Sequence, residues 1–533
     1  MRYAVGLLLV AAFGLGCMNL EVPNENSPDR RRVLATAADV ESVIAGSFGD
    51  WWSATHYSNP SMTLSVSADE LTSGWFDWGM GDANDEPRRP YQNSTTYRYQ
   101  AFVNTPWYGC YRAISSANDG LAAIARGVRL EQEARAKAFA KFVQGIAYGW
   151  LAAMFDKAFT VDETVNLEDV ASGKVKLEFK PYREVWAFAR QKLLEAAQLA
   201  EQNSFTIPNT WINGLELTNR DLAALCYAFL ARYEAAVARS PQERAQVNWN
   251  QILQWISRAV TRDYFIQGDN QLWWAALPFY APRERTARVD YKVIGPTDGS
   301  TGYLDWLSKP VEQRTEFILQ PVDRRVGTAL NARGGRIQFT LVGPSQWPAA
   351  RGTYKMSRYI HSRYFYFLQN GGIGPMPFVT VREMRLLRAE GLLRLNQRLE
   401  EVVQIINETR VENGGLAPAA LSDGVGTPAD GNPHNIEHVR RGQVRDGSLW
   451  AKLKYEWRLE NFVVTSGLAY FTRRGWGELV SGTPLHYPVP ANELETLRLE
   501  VYTHGGNIGD VAPRVQANVP YEPDRMRGPI SHQ

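Results

Sequence analysis

The chain has 533 residues, 44% of them apolar, enough to bury one large core or two subdomains. Its 58 basic and 56 acidic side chains nearly cancel, so the charge surplus that marks a nucleic-acid binder or a membrane-surface coat is missing. Three cysteines are too few for a disulfide framework, while 17 Trp and 24 Tyr supply flat apolar area that needs an explanation.

The first element is a leader. Arg2 gives a positive start, residues 5–16 (VGLLLVAAFGLG) an apolar run, and Gly16 a small residue directly before Cys17. Twelve apolar residues cannot span a bilayer, which takes about twenty, so 1–16 reads as a removable signal peptide. Cleavage before Cys17 would leave a cysteine for acylation, palmitate included, and several lipid chains make a stable anchor. An ordinary secretory signal is the alternative, and both carry the chain out of the cytoplasm. Residues 17–32 are polar and proline-punctuated, as suits a tether.

Helical pattern begins near Ala38 and fills much of 33–266. Phe139, Phe142, Val143, Ile146, Trp150 and Met154 fall at spacings of three and four, and so do Leu222, Cys226, Phe229, Tyr233 and Val237. The same pattern predicts helices over 107–126, 182–202 and 249–262. Consecutive one-sided helices joined by short loops bury their stripes by stacking as antiparallel pairs of tetratricopeptide type. Cys110 and Cys226 lie within such helices, which favours buried thiols over a bridge.

From 267 to 378 the period is lost, and Gly, Pro and aromatics punctuate short segments such as 272–282 (LWWAALPFYAP) and 336–342 (RIQFTLV). Loops and short strands are expected there. Within 379–533, helices are predicted over 379–396 and 399–412, stopping at Gly414-Gly415, and again over 450–465. The fold class is therefore mainly α: stacked helix pairs carrying an irregular, loop-rich subdomain with short strands.

Several local motifs occur in a recognisable order. Residues 42–48 (SVIAGSF) follow the tether, and Trp107, Tyr111, Ile114 and Asn118 stand in a W-x-x-x-Y-x-x-I-x-x-x-N helix. Thr218-Asn219-Arg220 precedes Ala223-Ala224, and Glu383 precedes Ala389-Glu390-Gly391. Ile406-Asn407 leads to Arg410 and Gly415-Leu416, and Tyr487-Pro488-Val489-Pro490 leads to Glu493-Leu494. In this order they resemble the SusD/RagB family of nutrient-binding outer-membrane lipoproteins. One stretch departs: where that family usually carries E-G-x-R-x-x-D-L, this chain has Ser466 to Thr472 (SGLAYFT) before Arg473-Arg474. Both acids and the base are lost together, as a structural ion network would require, which places the chain in a divergent branch.

The resemblance implies a lipid-anchored protein of the outer membrane, facing outside, that binds an oligosaccharide or peptide. Its expected partner is a SusC-type TonB-dependent transporter, to which it would deliver the ligand. No cofactor, no metal and no catalysis are expected. The alternative is an envelope scaffold that grips other proteins and takes no small ligand.

Two motifs suggest chemistry and are outweighed. Glu456 and Glu460 share one helix face, whereas hydrolytic carboxylates flank a cleft from opposite sides, so contacts with Arg are the expectation. His434, Glu437 and His438 spell H-x-x-E-H after a Gly/Pro-rich run, with nothing to single out a third zinc ligand. Serine-hydrolase elbows, Walker loops and dinucleotide fingerprints are absent from the sequence.

The candidate ligand residues are aromatic, with polar neighbours for hydroxyl groups: Trp75, Asp77, Trp78, Asn84, Trp274, Tyr280, Arg283 and Trp306. The competing expectation for each ring is that it pins a loop to the helical base.

Overall fold

The computed structural model describes residues 34–506 apart from 58, 167–168, 171, 330–336, 349–350, 352–355, 430–438, 441–442 and 445–446. Cys17, the tether and the His434–His438 motif therefore lie outside the described residues.

Helix α1 (Ala37–His56) starts on Thr36, whose side chain accepts from the Asp39 N–H. After α2 (Ser61–Ser67) come the long helices α3 (Ala101–Ala125), α4 (Glu133–Met154), α5 (Tyr182–Gln202) and α6 (Asn219–Ala236), then α7 (Trp249–Ile256). Each packs on the next: α1 on α3, α3 on α4, α4 on α5, α5 on α6 and α6 on α7. Missing side chains bring the axes close. A Cβ on Gly120 of α3 would overlap Ile44 of α1, and one on Gly149 of α4 would overlap the Tyr233 ring of α6.

The expected helix over 182–202 has those bounds, whereas the one expected over 249–262 stops at Ile256. Beyond it the chain extends into β2 (Tyr264–Asp269); β1 (Leu71–Thr72) precedes it in sequence. The irregular segment that follows contains α8 (Ala276–Tyr280), β3 (Arg288–Val289), α9 (Gly302–Ser308), β4 (Val326–Gly327), β5 (Phe339–Leu341) and β6 (Tyr359–His361). It returns through β7 (Ile373–Val379), antiparallel to β2 with Met376 opposite Ile266. The segment is thus a long excursion closed at its neck by one two-stranded sheet.

The chain then re-enters the helical base with α10 (Val381–Leu395), α11 (Leu399–Arg410), α12 (Leu449–Glu460) and α13 (Leu468–Trp476). Helix α10 packs on α7, α11 and α12, so the last third of the chain completes the stack begun by the first. Among the described residues no helix is long and apolar enough to cross a membrane. Cys110 and Cys226 are both buried and unbridged, and burial pushes each thiol up from its usual range.

The motif residues act as latches. The Tyr111 hydroxyl donates to the Phe159 carbonyl at 3.0 Å and accepts the Phe159 N–H at 2.7 Å, while the Asn118 amide donates to Val161 O. Asn407 does the same for Ala419 through both halves of its amide. Thr218 and Asp221 form a capping box at the start of α6.

Carboxylates in the base are ion-paired. Glu383 receives a two-pronged Arg232, and Glu390 a two-pronged Arg244 together with Arg394 and Trp476 Nε1. Burial would raise the Glu390 carboxyl, but Arg244 and Arg394 hold it down at about 2. Glu456 and Glu460 meet Arg325 at 2.7 and 2.9 Å, and Asp323 joins the same guanidinium at 2.7 Å. All four side chains are buried, so this pair locks the core instead of flanking a cleft. Where the 466–472 stretch lacks charge, Glu478 supplies the acid, meeting Lys454 at 2.9 Å and Arg458 at 2.7 Å.

Candidate functional site

The site starts from strand pairing. Leu71 and Thr72 of β1 lie opposite Val289 and Arg288 of β3, Thr72 Oγ1 donates to Asp290, and Ser73 Oγ donates to Thr286 O. Residues 73–79 are thereby fixed beside α8, about two hundred positions away in sequence.

Within that stretch the backbone is unusual. Phe76 and Trp78 have φ of +64° and +54°, a region that side chains with a Cβ rarely adopt and that costs on the order of 1 kcal/mol each. One local and one tertiary hydrogen bond hold Trp78 there: its N–H donates to Oδ1 of the preceding Asp77 at 2.9 Å, and its carbonyl accepts from Thr63 Oγ1 of α2 at 2.7 Å. The result turns Trp75 and Trp78 edge to face, with centroids 5.0 Å apart.

Tyr280 of α8 completes the cluster, 5.8 Å from Trp75 and 5.1 Å from Trp78, and Trp274 lies 5.5 Å beyond it. Trp274 is 7% exposed; its carbonyl accepts from Trp52 Nε1, and its ring covers Gly372, where a Cβ would not fit. It is the foundation of the cluster, while Trp75, Trp78 and Tyr280 are half-buried and keep ring surface open. Arg283 is exposed, its guanidinium 6.0 Å from the Tyr280 ring centre, and Asp77 is half-buried.

Two expected residues are elsewhere. Asn84 is 1% exposed, at the end of the short helix Met80–Asn84, and so is withdrawn from the aromatic face. Trp306 of α9 is 2% exposed, packed on Tyr291 at 5.1 Å and Tyr303 at 6.0 Å beneath the Arg314 guanidinium. Its spacing from Tyr303 reflects one buried helix face, the loop-pinning alternative.

The structure adds residues that sequence reasoning missed. Tyr57, 44% exposed just past α1, reaches Trp274 at 4.9 Å. Arg351 lies 4.5 Å over the Trp347 ring and 5.8 Å from Phe76, and it donates to Gly74 O. No local pattern marks these positions, because their membership follows from how the excursion folds back on residues 73–79.

Behind the cluster, Val463 N–H and Ser65 Oγ both donate to Glu70. Burial nevertheless dominates and pushes this carboxyl up to about 7. Among the described residues no cluster of three or more His, Cys, Asp or Glu is arranged to hold a metal ion.

These features define a class: a helical stack that presents half-open aromatic rings where an irregular excursion meets residues 73–79. The fold is the SusD-like one. A SusD-like carbohydrate-binding protein from Bacteroides fragilis is 14% identical, with a TM-score of 0.54 over 92% of this chain and 98% of that one. SusD-superfamily proteins from Bacteroides thetaiotaomicron (14% identity, TM-score 0.54, 89% and 98%) and Bacteroides vulgatus (14%, 0.53, 86% and 97%) are similar to the same extent. No family model matches the chain, and no curated protein matches it by sequence.

Proposed function

We propose that this protein is a divergent SusD/RagB-type lipoprotein, anchored in the outer membrane through Cys17, that binds an oligosaccharide without transforming it. The observation that carries the reading is the Trp75–Trp78–Tyr280 cluster. Three half-open rings in fixed mutual orientation suit the flat apolar faces of sugar rings, with Asp77 and Arg283 at hand for hydroxyls. One of the similar structures belongs to a protein described as carbohydrate-binding, which favours a sugar over a peptide. The motif order and the leader support delivery to a SusC-type TonB-dependent transporter, with the body held at the membrane by the 17–32 tether.

Calorimetric titration of the full mature chain against a panel of neutral oligosaccharides and peptides tests the binding. Saturable oligosaccharide binding, weakened in Trp75→Ala, is expected; peptide binding alone, or binding indifferent to Trp75→Ala and Tyr280→Ala, overturns it. Cys17→Ala should release folded protein from the outer membrane, and copurification from that membrane should recover a transporter barrel.

A further inference from the structure

A further segment of the excursion reaches the aromatic face. Trp347 packs against Gly74, where a Cβ would overlap its ring; its Nε1 donates to the Arg285 carbonyl at 2.8 Å, and its backbone N–H donates to Ser345 Oγ at 3.2 Å. The half-buried ring is thereby pinned between the residue that precedes Trp75 and the turn that follows α8. Arg351 is fixed upon it, with its guanidinium 4.5 Å from the Trp347 ring centre and 5.8 Å from that of Phe76, while Nη1 donates to Gly74 O at 3.0 Å.

The charge on this guanidinium is not matched within the protein. In the base, arginines meet carboxylates, whereas Arg351 meets none among the described residues, and its Nε and Nη2 are left without a partner and open to solvent. Stacking on an indole holds a guanidinium in place without consuming its N–H groups. Arg283 and Arg285, in the turn after α8, are exposed and likewise unpaired among the described residues. The carboxylates of the same neighbourhood are engaged: Glu284 lies 3.9 Å from Arg288, Glu316 accepts the Ser345 N–H at 3.1 Å, and Asp77 Oδ1 takes the Trp78 N–H. A guanidinium donates and never accepts, so Arg351 is matched by a group that only accepts and carries the opposite charge, a carboxylate or a sulfate.

We infer that the oligosaccharide bound by this face is acidic, and that Arg351 selects its carboxylate or sulfate while a sugar ring stacks on Trp75. The inference rests on the sugar-binding reading of the ring cluster and adds to it the charge of the ligand and the residue that reads that charge. Trp347 is a positioning residue: it holds Arg351 beside Gly74.

The test is titration of the full mature chain with oligosaccharides in pairs that differ only in charge: tetragalacturonate with its methyl ester, and a sulfated galactose tetrasaccharide with its desulfated form. In at least one pair the acidic member should bind about fivefold tighter or more at low salt, with the margin shrinking at about 0.5 M salt; which pair shows it separates carboxylate from sulfate. Arg351→Gln should weaken the acidic member about tenfold and its neutral partner less than about twofold, whereas Trp75→Ala should weaken both. Equal affinity within every pair overturns the inference and leaves the sugar-binding reading standing, while binding of no oligosaccharide, acidic or neutral, overturns both. Equal loss of the two members in Arg351→Gln would assign that residue to shaping the loop, and acid binding undiminished in Trp75→Ala would place the anion away from the rings; either result also overturns it. A thermal melt checks each variant, and the comparison within pairs on the unsubstituted chain keeps the test decisive should Arg351→Gln unfold.

Discussion

The helical base and the excursion between β2 and β7 solve opposite problems with the same residue types. In the base, rings such as Trp51, Trp52 and Trp107 are sealed, helices meet where glycine removes a side chain, and carboxylates are matched to arginines. Where the excursion meets residues 73–79, Trp75, Trp78 and Tyr280 remain half-open, and the 73–79 backbone includes two left-handed aromatic residues. The contrast teaches that aromatic content says little about function until the strand pairing that places each ring is known. Rigidity in the base comes from closure, and on the face it comes from a few long-range hydrogen bonds.

The strongest way to break the comparison is to remove the ion by which the excursion is locked onto the base. Arg325→Leu strands Asp323, Glu456 and Glu460 without a counter-charge and should cost about 3–5 kcal/mol in urea unfolding, with the aromatic face untouched in any protein that folds. A loss below ~1 kcal/mol would show that the base does not rely on that pairing.

Glu70 gives the next largest effect, because it joins base and face. Its carboxyl titrates near 4.5 when unfolded and about 7 when folded, so the native state binds the extra proton between those values. Its contribution is complete below pH 4.5 and is lost as pH rises through 7, a change of roughly 3 kcal/mol. Glu70→Gln should flatten that part of the stability–pH curve, and an unaltered slope would assign it to another group.

Smaller effects sharpen the face itself. Trp75→Ala should weaken oligosaccharide binding about tenfold, with ring contacts worth ~1.4 kcal/mol, while Trp306→Phe should leave binding alone and lower only the melting temperature. Arg283→Ala, at the exposed edge, should change affinity by about twofold. Equal effects of Trp75 and Trp306 substitutions on binding would erase the distinction between open and sealed rings.

Much of the base was legible because its signal is local. The Tyr182–Gln202 stripe repeats at helical spacing and fixes its own bounds. Segment 373–379 was not, since Gly374, Pro375 and Pro377 read as loop; in a two-stranded sheet, β7 needs only one side for pairing and tolerates them. Trp75, Trp78, Trp274, Tyr280 and Arg283 could be singled out by composition, and the structure gathers them. Their assembly was hidden because it depends on Leu71 meeting Val289, a register that no local pattern encodes. For the same reason Tyr57 and Arg351 went unseen and Trp306 looked equivalent to its neighbours.

The left-handed turn at Phe76 and Trp78 has a bearing on transferability. A peptide copied from residues 71–84 would relax to ordinary φ values and scatter its rings, because the contacts to Thr63, Thr286 and Asp290 that impose the turn would be left behind. The ordering entropy of the rings is incurred when the whole chain folds, so an encounter with ligand need not incur it again. Such a surface could be transplanted only together with the two strands and the helix that shape it.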